Sequence, residues 1–291
     1  MSSRPPTAGK LPLTELAEMK QRRDPIVMVT AYDYPSGRLV DAAGVDLVLV
    51  GDTAAMVVMG YDGTVPATLE EMLLLTRWVS RGAARPLVVG DLPFGSYEVS
   101  DEQAVETAVR MLKEGGADLV KLEGAGPSLS RLQSISAAGI PVLGHLGLTP
   151  QSAMKLGGFK AQGRTATRAH ELYDDALALE AAGASALVLE AVPEAVAARI
   201  TKALGIPTIG IGAGRGCDGQ VLVWHDLLGL YEGRSPRFAK RYAEIGPQIR
   251  AALEGFVGDV RSGAFPGEEH TYSITQEELA RFEAELTAVD T

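Results

Sequence analysis

The sequence predicts a single (β/α)8 barrel of the TIM type, and three observations carry that expectation. From Pro25 onward, short runs rich in Val, Ile and Leu alternate with longer helix-like stretches, the pattern of parallel βαβ units. The runs number eight and are almost continuously apolar, as strands buried on both faces of a sheet must be, and eight strands close a barrel. Glycines recur shortly before the strands, at Gly44, Gly116, Gly139, Gly183 and Gly205, where a helix has to stop and turn back toward the sheet.

Element by element, LTELAEMKQRR reads as a short amphipathic helix suited to plug the amino-terminal mouth of the barrel. Strands follow at 26–33, 45–52, 86–93, 117–124, 141–148, 186–193, 207–214 and 220–226. Thr68 with Glu71 and Ser100 with Gln103 have capping-box spacing and start the helices TLEEMLLLTRWVSRG and SDEQAVETAVRMLKEGG. The connection 148–165, rich in Gly, Lys and Gln, reads as a lid or binding loop. Only residues 215–219 separate the last two strands, too few for a crossover helix, and this keeps a doubly wound sheet as the alternative fold. RFAKRYAEIGPQIRAALEGFVGDV and ITQEELARFEAELTAV read as two further helices. Residues 1–291 are then one domain, with a barrel core at about 25–230 and C-terminal helices at about 236–290.

Composition narrows the function. With 37 acidic residues against 27 Lys and Arg the net charge is −10, which argues against nucleic acid, whose phosphates demand basic clusters. Cys217 is the only cysteine, so an internal disulfide and a thiolate metal cage are excluded and a reducing compartment fits. Neither a signal-like apolar core at the start nor a run of 18 apolar residues occurs, so the expected location is cytoplasmic, without membrane insertion.

Active sites of such barrels lie at the carboxyl ends of the strands. Asp52 ends the second strand, Asp91 the third and Glu190 the sixth, while Lys121 and Glu123 share the fourth and His145 sits on the fifth. Residues two apart on a strand share a face, so Lys121 and Glu123 both point into the barrel. Each Asp singly reads as a turn cap; together on adjacent strands these groups read as a site. Two carboxylates with open coordination positions suit Mg2+, with Mn2+ or Co2+ able to use the same oxygens, and the missing His cluster disfavours zinc. Glu190 fits either an ion pair with Lys121 or a proton-abstracting base, and His145 either a satisfied core histidine or a participant. GRGCDG at 214–219 runs into a strand and is no dinucleotide loop. Gly210, Gly212, Gly214 and Gly216 read as a tight turn, with an anion cradle as the alternative, and Cys217 has no His nearby in sequence to activate it.

TAYDY (30–34), LVGD (49–52), DLPFGSY (91–97), VKLEG (120–124), GHLGLTPQS (144–152), GGFKAQGR (157–164), LVLEAVP (187–193), IGIGAG (209–214), CDGQVLVWHD (217–226) and FPGEEH (265–270) occur in this order. The chain therefore resembles, from about residue 11 to about 271, the ketopantoate hydroxymethyltransferases of pantothenate biosynthesis, on the pathway to coenzyme A. The resemblance implies a barrel related to phosphoenolpyruvate-using enzymes and a large homo-oligomer, commonly a decamer. It also implies hydroxymethyl transfer from 5,10-methylenetetrahydrofolate to 3-methyl-2-oxobutanoate through a Mg-stabilised enolate, giving 2-dehydropantoate. Asp52 and Asp91 match the Mg2+ ligands, with Glu123 reaching the metal directly or through water. Asp52, Thr53, Asp91 and Lys121 match the positions that hold the 2-oxo acid, and Glu190 matches the general base; His145 is a further candidate. Thr53 stands where the family usually has Ser, and Gly90 where it usually has Ala, a change expected to loosen the strand. The tail beyond His270 is longer than in most members. A folate-independent, metal-dependent 2-oxo acid aldolase or lyase of the same superfamily, and a catalytically silent barrel serving as scaffold or binder, are the rival functions.

Overall fold

Eight parallel strands, hydrogen-bonded in sequence order, close into a barrel in the computed structural model, which describes residues 9–155, 157–230 and 236–289. The opening segment MSSRPPTA, read above for an export signal, and Leu156 of the expected lid lie outside the described residues. The strands are β1 (Ile26–Thr30), β2 (Leu47–Val50), β3 (Leu87–Asp91), β4 (Leu119–Glu123), β5 (Val142–Gly147), β6 (Ala186–Glu190), β7 (Thr208–Ile211) and β8 (Gly219–Leu222). Pairing of β1 with β8, Ile26 opposite Gly219, shuts the ring and excludes the doubly wound sheet.

Helices α1 (Leu13–Arg22), α2 (Tyr34–Ala42), α3 (Ala54–Val57), α4 (Leu69–Gly82), α5 (Asp101–Arg110), α6 (Pro127–Ala137), α7 (Ala166–Ala181), α8 (Glu194–Ala203) and α9 (Trp224–Leu228) belong to the same unit, which ends at Ala243. Thr68 and Glu71 form the expected capping box at α4. Ser100 accepts the Gln103 N–H, but the Gln103 side chain accepts from Val99 one residue early, so that box is half closed. Between β7 and β8 no helix forms. Their seven linking residues, 212–218, return the chain directly, because a short strand needs only a short extended segment to run back along it at roughly 3.3–3.6 Å per residue.

The predicted strands run too long at their carboxyl ends, since the last residues of each run leave the ladder to make loops. Asp33, assigned above to the first strand, instead caps α2, its Oδ1 accepting the Ser36 N–H at 2.7 Å. The expected helix from Arg237 also starts late, as α10 (Ile245–Ser262). Pro247 lies in its first turn, where a missing N–H costs nothing; an extension upstream would lose a hydrogen bond and clash.

Two apolar layers result. One lies between sheet and helices. The other fills the barrel, where Leu47, Leu49, Leu87, Val89, Leu119, Leu143, Val188 and Ile209 meet Leu16 and Met19 of α1, which plugs the amino-terminal mouth as expected. Inward positions change character along each strand with a period of two: Leu87, Val89, Asp91; Leu119, Lys121, Glu123; Ala186, Val188, Glu190. The apolar lower layers hold the barrel together and the polar top layer forms its carboxyl-end rim.

Gly90 does not loosen β3. A methyl there would run into Met111 at Cγ and at Sδ (2.6 Å), so the fully buried Met111 of the π-helical turn Met111–Gly115 occupies the space that an alanine methyl would fill.

Residues 244–291 form a second compact unit, containing α10 and α11 (Gln276–Val289). Within it Phe265 packs against Phe256 and His270, at ring-centroid distances of 5.5 and 5.0 Å. No residue of α10 is buried, although Ile249, Leu253, Phe256, Val257 and Val260 make one apolar stripe at helical spacing.

Candidate active site

All seven residues singled out from the sequence (Asp52, Thr53, Asp91, Lys121, Glu123, His145 and Glu190) line one cavity of about 760 Å3 at the carboxyl ends of the strands. Asp91, Lys121, Glu123, His145 and Glu190 are inward strand residues, and register sets Asp91 beside Lys121 and Glu123 beside His145. Asp52 follows β2, and its main-chain N–H donates to Asp91 Oδ2 at 3.0 Å, tying the two acids together. Thr53 caps the short α3 without a side-chain bond.

Lys121 is the hub. Its Nζ lies 2.8 and 2.9 Å from the two Asp91 oxygens and 3.4 Å from Glu123 Oε1, all three side chains being almost wholly buried. Lys121 therefore pairs with Asp91 and Glu123, not with Glu190. Burial and the neighbouring Asp91 charge raise the Asp52 carboxyl well above the ordinary range, against the pull of Lys121. Burial also raises Asp91, with Lys121 opposing it. At Glu123 burial acts upward too, but Lys121 and His145 outweigh it and its pKa is lowered.

His145 sits between two carboxylates, Nδ1 at 3.2 Å from Glu123 Oε1 and Nε2 at 3.3 Å from Glu190 Oε2. The contacts are close, yet their angles fall short of good hydrogen bonds. Burial and Lys121 push the imidazole pKa down; the two flanking acids push harder, leaving it raised to about 9. Glu190 is held from behind: the main-chain O of Glu190 accepts the Leu148 N–H at 2.8 Å, and Gly147, at φ 98°, leaves room for that carbonyl where any side chain would collide. Ala191, next to it, takes a left-handed φ of 50°, a strained conformation for a residue with a Cβ; its N–H donates to the carbonyl of Ile211 and its own carbonyl accepts from Gln162 of the β5–α7 loop.

Sequence reasoning missed Tyr97 and Gln151, both buried. Gln151 Nε2 donates to Asp52 Oδ2 and to the Leu92 carbonyl, each at 2.9 Å, and its main-chain N–H donates to Glu123 Oε2 at 3.0 Å. Tyr97 Oη donates to Gln151 Oε1 at 2.6 Å and accepts the Glu123 N–H at 3.3 Å. Neither residue type announces such a role, and the contacts join loops far apart in sequence. The outer part of the cavity is lined by Phe159 and Lys160, from the connection 148–165 read above as a lid or binding loop, and by Arg237 and Phe238, which carried no signal.

The glycines after β7 form no anion cradle. Phe238 fills the space beside Gly212, 2.6 Å from where a Cβ would stand, and the Glu194 side chain fills that beside Gly214; a carboxylate there would repel an anion. Burial raises the Cys217 thiol, consistent with an inert residue.

A sequence profile described as ketopantoate hydroxymethyltransferase matches residues 10–268. The chain belongs to the ketopantoate hydroxymethyltransferase family. Relatives of this family include a 3-methyl-2-oxobutanoate hydroxymethyltransferase of Heliobacterium modesticaldum, 53% identical over 93% of this chain and 98% of its own. A second, from Arabidopsis thaliana and named as mitochondrial, is 52% identical over 95% of this chain and 82% of its own. Among solved structures, 2,3-dimethylmalate lyase, a PEP mutase/isocitrate lyase superfamily member, superposes with a TM-score of 0.56 at 19% identity, covering 96% of this chain and 97% of that one. Phosphonopyruvate hydrolase in complex with oxalate and Mg2+ gives 0.57 at 12% identity with the same coverage of both chains. At such identity the likeness is one of fold alone, a TIM barrel.

Proposed function

We propose that the protein transfers a hydroxymethyl group from 5,10-methylenetetrahydrofolate to 3-methyl-2-oxobutanoate, yielding 2-dehydropantoate and tetrahydrofolate with one water consumed, as a step of pantothenate biosynthesis. One observation carries the proposal: a single cavity presents Asp52, Asp91, Lys121 and Glu123 from β2 to β4 and Glu190 from the end of β6. A substrate held by the first group can present a C–H bond to the last.

The donor chemistry fits a hard divalent cation, Mg2+ by preference. Three buried carboxylates face one ammonium and one imidazole, an excess of negative charge that a dication would offset. Among the described residues no cluster of three or more acidic, His or Cys side chains is arranged as a metal cage, so water and substrate oxygens would complete the shell. Asp52 and Asp91 would hold the ion, with Glu123 reaching it directly or through water. When bound, the ion supplies Lewis-acid polarisation of the 2-oxo group and so acidifies the C3 proton.

The chain's own groups do the rest. Lys121 and Thr53 hold the 2-oxo acid, and Lys121 opposes the negative charge that grows on its 2-oxo oxygen. A Glu190 carboxylate oxygen accepts the C3 proton, with His145 setting its orientation. The electron pair left on C3 forms the new bond to the methylene carbon, and the carbon–nitrogen bonds that held that carbon pass their electrons to the folate nitrogens, water supplying the product hydroxyl. The folate donor enters past Phe159, Lys160, Arg237 and Phe238, where aromatic faces and cations suit a pterin and a glutamate tail.

The 244–291 unit and the barrel act as one domain in this proposal, since the family match runs across their boundary to residue 268. The working form is a homo-oligomer, a decamer as the resemblance implies, and the exposed apolar stripe of α10 is the kind of surface that a partner subunit covers. A cytoplasmic setting is consistent with the single, unpaired Cys217. The test is product formation: 2-dehydropantoate has to appear only when divalent metal and methylenetetrahydrofolate are both present. Turnover of the 2-oxo acid without folate would favour the lyase alternative, and no turnover the silent barrel.

A further inference from the structure

Gln151 makes four hydrogen bonds, and a fifth, from the Glu123 main-chain N–H to its partner Tyr97, forces their directions. At one end, the Glu123 main-chain N–H can only donate, and it donates to Tyr97 Oη. That oxygen's single proton then goes to its close partner, Gln151 Oε1, at 2.6 Å. With the amide oxygen occupied, both amide protons must serve acceptors. One meets the Leu92 carbonyl, which can only accept, and the other meets Asp52 Oδ2. A flipped amide would set Gln151 Oε1 against the Leu92 carbonyl and Asp52, and its NH2 group against the Tyr97 hydroxyl proton. Four lone pairs would then face one another in a buried site.

From this we infer that Gln151, locked by Tyr97, is a positioning residue that fixes which oxygen of Asp52 faces the cavity. Asp52 Oδ2 is committed to the amide; among the described residues no hydrogen-bond donor is found for Oδ1, the oxygen left to a ligand. The same residue holds the other wall, because its main-chain N–H takes Glu123 Oε2 and leaves Oε1 to Lys121 and His145. Gln151 lies on the β5–α7 connection, just after β5, so the placement of that loop and the orientation of two carboxylates on β2 and β4 are one event.

The inference rests on the proposal that Asp52 binds a divalent cation, and the experiment separates the two. Mg2+ binding to metal-free protein is measured by titration calorimetry for wild type, Gln151→Met and Tyr97→Phe, each with its thermal midpoint. Methionine keeps the length and bulk of glutamine without its hydrogen bonds; phenylalanine keeps the ring and releases the lock. Gln151→Met is expected to bind Mg2+ about 10–100-fold more weakly, the usual effect of removing a partner of a metal ligand. Tyr97→Phe should fall between it and wild type, and kcat should fall while KM for the 2-oxo acid and the metal requirement rise. Variants with lowered thermal midpoints but wild-type Mg2+ affinity would show a merely structural role and overturn the inference. A wild-type protein that binds no divalent cation would instead overturn the metal proposal, and the inference with it.

Discussion

Replacing Lys121 by Met should uncover how much negative charge the barrel holds. The methionine has nearly the same length and can occupy the same space, so packing changes little. What is lost is the ammonium 2.8 Å from Asp91 and 3.4 Å from Glu123, with Asp52 close enough to be lowered by it. Removing one partner of a buried ion pair costs about 3–5 kcal/mol, or roughly 10 °C in thermal midpoint for a chain of this size. Protonation caps the loss. Asp52 and Asp91 already have pKa values raised by burial, and without Lys121 they rise further. A carboxyl whose pKa is higher folded than unfolded stabilises the fold when protonated and ceases to as pH rises through the folded value. The deficit of Lys121→Met is therefore small near pH 4–5 and largest near pH 8. A divalent cation should repair part of it: at a hundred times Kd, ligand binding adds about 2.7 kcal/mol. Thermal unfolding followed by circular dichroism, with chelator or with Mg2+, from pH 5 to 8, measures all three effects. A deficit below about 1 kcal/mol in chelator at pH 8, or one that grows on acidification, would refute the electrostatic account.

Other outcomes follow from the same geometry. Gly90→Ala should destabilise by about 1–3 kcal/mol, as overpacking does, because the new methyl meets Met111; in the background of Met111→Ala the penalty should vanish, which a double-mutant cycle of urea unfolding detects. In metal-free protein, His145 has its pKa raised to about 9, so its contribution to stability is whole below about pH 6.5 and is lost as pH rises through 9. The amount is on the order of 3 kcal/mol, and His145→Phe should flatten that part of the stability profile. Phe238→Ala should raise KM for methylenetetrahydrofolate about tenfold, the effect of roughly 1.4 kcal/mol, while leaving KM for the 2-oxo acid unchanged in steady-state assays.

Much of this was legible before the structure because strand periodicity and burial act locally. An apolar run with a charged residue at its carboxyl end specifies both a strand and the level at which its last side chain emerges, and Asp91, Glu123 and Glu190 obey that rule. Capping chemistry placed α4 to the residue. What was not legible depends on contacts between distant segments. Gln151 is an ordinary polar loop residue until folding brings it to Asp52, 99 positions away. Gly90 looks like a weak point in a strand until Met111 is seen to occupy its space. The role of Phe238 depends on a glycine in another loop. His145 read two ways because sequence does not show that two acids flank it.

The most direct test of the central claim, that Glu190 removes the C3 proton of a 2-oxo acid held opposite it, is proton NMR of 3-methyl-2-oxobutanoate in D2O with wild type and Glu190→Gln. With Mg2+ present and folate absent, wild type should replace the C3 proton by deuterium, chelator should stop it, and Glu190→Gln should slow it by about 100- to 10,000-fold, the range that a positioned base contributes. Exchange at the wild-type rate in Glu190→Gln, with the variant folded and binding Mg2+ normally, would contradict the account.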